Sequence, residues 1–253
     1  MTDETPPLRA AAVEAAAVAS GGGALAALVG WPLGIAIPTA VVGGLNGAVC
    51  GWRGIYEWRR ARGWLAAALD STWGLPMTTA SLFAHVAGRL RGEPGFVPDL
   101  SVRQNRHVYR RGFQPRGGFA ITLGNVINGA GDVSRPRRRR LITDHEDVHC
   151  WQARWWGPLF PVLYVGWAAA GAVGGAAIWL TRRRSERFGK VVESSAYYLN
   201  PFEWWAYSRD DHWPPGGKIV DFGWARPCCR PLAAVRNSET GRRSRSAGSP
   251  VPR

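Results

Sequence analysis

The residues best placed to do chemistry are His145, Glu146 and His149, within the stretch Leu141–Gln152 that reads LITDHEDVHCWQ. On a helix the i, i+4 spacing sets two imidazoles on one face, where both reach a single metal ion. Glu146 then stands beside a water activated by that ion and is suited to act as its general base, while zinc polarises a scissile carbonyl. Two of the five histidines in the chain fall at this spacing. The alternative is a surface helix that carries the pattern by chance. Thr143 or Asp144 would cap the helix.

A hydrolytic zinc needs a third protein ligand and an open position. The segment Tyr197–Asp210, YYLNPFEWWAYSRD, offers one. Asn200 suits a helix cap and Pro201 its first turn, with Glu203 on that turn and Tyr207 one turn later on the same face. Glu203 is the expected ligand; Glu193 and His212 are chemically competent rivals. An oxyanion stabiliser is sought among Tyr197, Tyr198, Tyr207 and His212, with Tyr207 and His212 entered as catalytic candidates. Any of these tyrosines could instead serve packing. Cys150 points about 100° away from His149 around the helix and is expected to pack. His85 and His107 are read as structural or surface residues.

These groups must be held by the elements around them. No charge occurs from Ala15 to Trp52, a run of 38 residues, whereas one helical span needs about 20. Gly30-Trp31-Pro32 interrupts the run, and Arg9 and Arg53 bracket it, so a transmembrane helical hairpin over 11–52 is expected, behind a disordered 1–10. Both termini would be cytoplasmic. No secretory signal is read at the N-terminus, and the first helix is expected to be retained as an anchor. Glycines 43, 47 and 51 recur every fourth residue, which favours tight helix packing or self-association.

Residues 53–91 read as a basic juxtamembrane segment followed by interfacial or re-entrant helices broken at Gly74-Leu75-Pro76. Residues 92–235 would form the metal-site domain, with one strand from Gly118 to Ile127. The run Arg137–Arg140 is expected to be a solvated loop or an anionic-lipid contact. The last 18 residues, 236–253, have the composition of a disordered tail.

Pro158–Leu180 is uncharged for 23 residues. A single crossing there would part His149 from Glu203 by a roughly 30 Å apolar layer. Basic flanks on both sides, Arg154 before and Arg182 to Arg184 after, also disfavour one crossing. A buried helix, or a shallow re-entrant pair bent at Gly171 to Gly175, is therefore expected.

HExxH followed some fifty residues later by NPFEWWAY resembles the gluzincin class of zinc metallopeptidases. It resembles more closely a set of uncharacterised bacterial membrane proteins that pair HExxHxxQ with NPxExxAY. The likeness covers mainly Gly118 to Asp210, together with LDSTWGLPMTT at Leu69–Thr79. It implies that His145, His149 and Glu203 bind zinc, that Glu146 is the base, and that Gly118–Ile127 is an edge strand along which a peptide lies. Gln152 matches a glutamine one turn beyond the second histidine. Tyr207 departs from the pattern, standing where many gluzincins place an aspartate that orients a histidine.

The net charge of +14 comes almost wholly from arginine, since Lys190 and Lys218 are the only lysines. No zinc finger, RNP motif or helix-turn-helix pattern accompanies it, so basic loops beside a membrane are expected rather than a nucleic-acid reader. The four cysteines, Cys50, Cys150, Cys228 and Cys229, form no CxxC pair, and a disulfide framework is not expected. The resulting expectation is a mainly α protein: the N-terminal hairpin plus a zincin-like α+β domain with a short β-strand region. It would be integral to a bacterial cell membrane with its site on the cytoplasmic face. Anionic lipid headgroups and a peptide or protein substrate would be its partners, with a homo-oligomer formed through the glycine-rich helices. The competing expectation is a catalytically silent structural membrane protein.

Overall fold

Glycine determines how the first two helices meet. The computed structural model describes residues 8–114, 117–182 and 186–209. In it, α1 (Leu8–Gly30) leads through a short turn at Trp31–Leu33 into α2 (Ala36–Trp52). The two run antiparallel. Gly43 lies on Gly22 and Ala26, Gly47 on Val18, and Gly51 on Ala15, so closely that an added methyl group would strike backbone. The glycine repeat therefore serves packing within the chain. Helix α1 already includes Leu8 to Ala10, within the segment expected to be disordered. Leu25, Leu28, Ile37, Val41 and Leu45 face away from the protein.

The chain divides into two compact units, Met1–Phe160 and Pro161–Arg253. After α1 and α2, the first continues with α3 (Ala61–Asp70) and α4 (Leu75–Leu90), interrupted where the sequence places Gly74 and Pro76. A three-stranded sheet follows, made of β1 (His107–Val108), β2 (Ile121–Leu123) and β3 (Val126–Asn128). Its order is β1-β3-β2, with His107 paired in parallel to Val126 and Ile121 antiparallel to Asn128. The single strand expected over Gly118–Ile127 is thus two strands. Gly124 turns the chain at φ +57°, and the Asn125 N–H is held by Ser81 Oγ at 2.9 Å.

The arginine run is likewise not a loop. It forms α5 (Pro136–Arg140), which continues without a break through a π-helical stretch, Leu141–Glu146, into α6 (Asp147–Trp156). Thr143 and Asp144 consequently lie inside the helix rather than capping it. Behind α6 a core of Val97, Leu100, Val108, Ile127, Ala130, Val133, Ile142 and Cys150 joins it to the sheet. Cys150 packs there as expected, and burial raises its thiol pKa well above the ordinary value.

A buried polar network ties the same elements together. Arg154 of α6 donates to both carboxylate oxygens of Asp70 in α3, Nε at 2.8 Å and Nη2 at 2.9 Å. Tyr56 Oη and Asn125 Nδ2 also donate to Asp70, and Asn125 reaches Asn46 of α2. Arg154, the basic residue before Pro158–Leu180, is 1% exposed, and Asp70 offers it a bidentate partner. Burial, the largest single effect, would lower the pKa of Arg154, but the charge and hydrogen bonds of Asp70, with Cys150 and Tyr56, together outweigh it and raise the value.

His107 is buried and His85 half-buried, packed edge to face with ring centres 4.6 Å apart. Arg53 donates to Tyr109 Oη, which in turn lies 2.8 Å from His85 Nδ1. Burial, reinforced by Arg53, lowers His85 to a pKa of about 3, so the ring is neutral near pH 7 and accepts the tyrosine proton. Both histidines are structural.

The second unit opens with α7 (Leu159–Arg182), a single uninterrupted helix of 24 residues. At 1.5 Å per residue it is about 36 Å long, and it has no bend at Gly171 to Gly175. Those glycines instead let the returning chain lie close: Gly171 meets the Ser195 backbone and Ala196, and Gly175 meets Ser195 and Val192. The return comprises α8 (Phe188–Glu193), a π-helical turn at Ser194–Tyr198, and α9 (Pro201–Tyr207). It runs antiparallel to α7. Trp179 Nε1 bonds to Glu186 O near one end, Trp167 Nε1 to Leu199 O further along, and Asn200 Nδ2 to Tyr164 O near the other.

Glu203 is thereby carried back to the end at which the chain enters this unit. Nor is α7 a buried core helix, since Val162, Val165, Trp167, Val173 and Leu180 stay exposed. Two stretches, Leu8–Leu33 and Leu159–Thr181, are long and apolar enough to cross a membrane.

Candidate metal centre

Within the first unit the HExxH segment lies where the π-helical stretch becomes α6. A π turn widens the helix by one residue and is recurrently found at functional sites. His145 and His149 are both buried, at 2% and 8% exposure, and their Nε2 atoms face each other across 3.3 Å. The other ring nitrogen of His149, Nδ1, donates to Gln152 Oε1 at 2.8 Å. That bond fixes the tautomer and directs the Nε2 lone pair toward His145.

Glu146 is buried beside them, and its Oε2 accepts from Thr122 Oγ1 of β2 at 2.7 Å. Among the described residues strand β2 lies at the edge of the sheet, paired with β3. The HExxH segment therefore meets the sheet through Thr122 of its edge strand. The helix is held in register by Asp147, which accepts from Arg106 at 2.5 Å and Arg62 at 3.2 Å, and by Arg154.

Within the second unit Asn200 caps α9 as expected, its Oδ1 accepting from Phe202 N at 3.1 Å. Glu203 on the first turn is 3% exposed, and its Oε1 accepts from Tyr164 Oη at 2.6 Å. The rival Glu193 is exposed. Tyr207 is buried on α9, with its ring 6.1 Å from that of Tyr198. His212 lies outside the described residues, as do Cys228, Cys229 and the expected tail; Cys50 and Cys150 are free thiols.

The buried residues His145, His149 and Glu203 make up a donor set that could hold a metal ion. Two imidazoles and a carboxylate suit a borderline divalent cation. Sequence reasoning named the two histidines from their spacing, Glu203 from its place at a helix start and Gln152 from the resemblance, but it missed Thr122. Nothing near Thr122 in the chain marks it, since its partner Glu146 is 24 residues away. No protein-family model, curated protein or solved structure matches the chain.

Proposed function

We propose that the chain is a membrane-embedded, zinc-dependent peptide hydrolase of gluzincin kind, with His145, His149 and Glu203 as ligands and Glu146 as general base. The observation that carries this reading is the 3.3 Å separation of the two buried Nε2 atoms. Two nitrogens bound at about 2.0–2.1 Å to one tetrahedral ion stand about 3.4 Å apart, so little rearrangement is needed to load the pair. Glu203, held by Tyr164 at the end where α7 begins, is proposed to complete the set.

When bound, zinc supplies Lewis acidity and lowers the pKa of water. The chain's own residues do the rest. Gln152 keeps the His149 proton on Nδ1. Thr122 fixes one Glu146 oxygen, so that the carboxylate can take a proton from water and return it to the leaving amine. The open edge of β2 offers backbone groups to an extended peptide. Tyr207 and His212 are kept as candidates for stabilising the oxyanion.

Helices α1 and α2 are proposed to cross the bilayer as a hairpin, and α7 to cross with the 188–207 return packed along it. Exposed Leu28, Val41, Val162 and Val173 would face lipid, whereas Ser194, Ser195 and Glu203 are turned inward. The rival reading, a silent structural protein, rests on the same 3.3 Å contact taken as a hydrogen bond from His145 to His149. A hydrolysis assay separates them: detergent-purified full-length protein is offered a library of quenched fluorescent peptides. Cleavage that a chelator removes and zinc restores is the expected outcome. Cleavage indifferent to the chelator would overturn the metal-dependent mechanism, and none across the library would favour the silent protein.

A further inference from the structure

A second site is built on the first unit, where α5 leads into the HExxH segment. A cavity of about 660 Å³ is walled by Arg110, Arg111, Arg135, Arg137 and Arg138, together with Asp132. Among its described lining residues Asp132 is the only carboxylate, and it is already engaged by Arg135 Nε at 3.2 Å and by Ser134. The described lining is thus strongly cationic, with Arg110, Arg111, Arg135 and Arg138 beside one carboxylate that Arg135 already engages.

The wall is fixed by backbone. Gly129 N donates to Arg111 O at 2.7 Å and Gly131 N to Arg110 O at 2.9 Å, which extends the pairing of β1 with β3. Gly129 and Gly131 adopt φ of +72° and +64°, which only glycine takes readily. Arg138 is half-buried, and its guanidinium donates to Ala130 O at 2.7 Å and to Gly129 O, neutral acceptors that orient the cation, while the Glu146 charge also acts on it. Arg110 is exposed, and its guanidinium makes no hydrogen bond or ion pair among the described residues.

We propose that this cavity binds a phosphate group, either as the free ion or as the headgroup of an anionic phospholipid. A phosphate carries up to two charges and presents several acceptor oxygens to forked donors, so it satisfies more of these arginines than a carboxylate does. The volume also exceeds that of the ion alone, leaving room for what the phosphate is attached to.

The test is calorimetric titration of inorganic phosphate into full-length protein in nanodiscs of phosphatidylcholine, with native mass spectrometry of the same protein in discs containing phosphatidylglycerol. If free phosphate is the ligand, saturable one-site binding is expected, weakened about tenfold or more in R138Q and in R110Q. If the headgroup is the ligand, wild type retains phosphatidylglycerol, both variants lose it, and inorganic phosphate displaces it. The double variant R59Q/R60Q, which removes two exposed arginines outside the cavity, should behave as wild type in either arm. R110Q alters an exposed side chain and decides the matter should R138Q fail to fold. Binding of neither ligand, or an equal loss in R59Q/R60Q, would overturn the proposal.

Discussion

Glu146→Gln should abolish hydrolysis while leaving one metal ion bound per chain. Glu146 is not in the ligand set, so the substitution removes a proton acceptor and nothing that holds the ion. The fold around it should persist, because glutamine keeps a side-chain oxygen that can accept from Thr122 Oγ1 where Glu146 Oε2 now does, at 2.7 Å. General-base catalysis contributes roughly 10²–10⁴-fold, and at least that loss in kcat is expected with KM little changed. Metal analysis beside single-turnover kinetics reads both quantities. A variant that keeps more than about a tenth of wild-type kcat would remove Glu146 from the role of base.

The second large effect concerns stability. Asp70→Ala strands the Arg154 guanidinium in a site where it is 1% exposed, with its two shortest carboxylate contacts gone. Breaking a buried pair from one side costs about 3–5 kcal/mol, a large share of the roughly 5–15 kcal/mol that holds a domain folded. A fall in Tm of about 10 °C or more is expected in detergent. The double variant D70A/R154M should recover part of this, since the uncompensated charge is removed along with its partner. A D70A protein melting within a degree or two of wild type would mean that Asp70 does not hold Arg154. The same network reaches Asn125 and Asn46, so its loss should also loosen the seat of α6 on the sheet and on α2.

What was legible in the sequence was local. The i, i+4 histidines, the Asn200 cap, the turn at Gly30-Trp31-Pro32 and the break before Pro76 are all set by residues within a few positions of one another. Helix geometry and glycine or proline stereochemistry suffice to place them. Long-range pairings were not legible. Arg154 and Asp70 stand 84 residues apart, and Thr122 and Glu146 stand 24 apart, so no periodicity joins them.

Two misreadings share a physical cause. Gly124 was absorbed into a strand because its neighbours are β-formers, yet its positive φ makes a turn. Gly171 and Gly175 were read as a hinge, but a glycine in a helix serves close packing equally well, and Ser195 occupies the space they leave. Composition alone cannot separate these uses. The arginine run was expected as a solvated loop or an anionic-lipid contact; its side chains are largely exposed, but it heads a continuous helix rather than a loop.

The most direct measurement is metal stoichiometry by native mass spectrometry on full-length protein purified without chelator, comparing wild type with His149→Ala and Glu203→Ala. One zinc per wild-type chain is expected, lost in both variants, with circular dichroism unchanged. No zinc in the wild type, or one zinc retained in both variants, would contradict the assignment of His145, His149 and Glu203 as one metal centre.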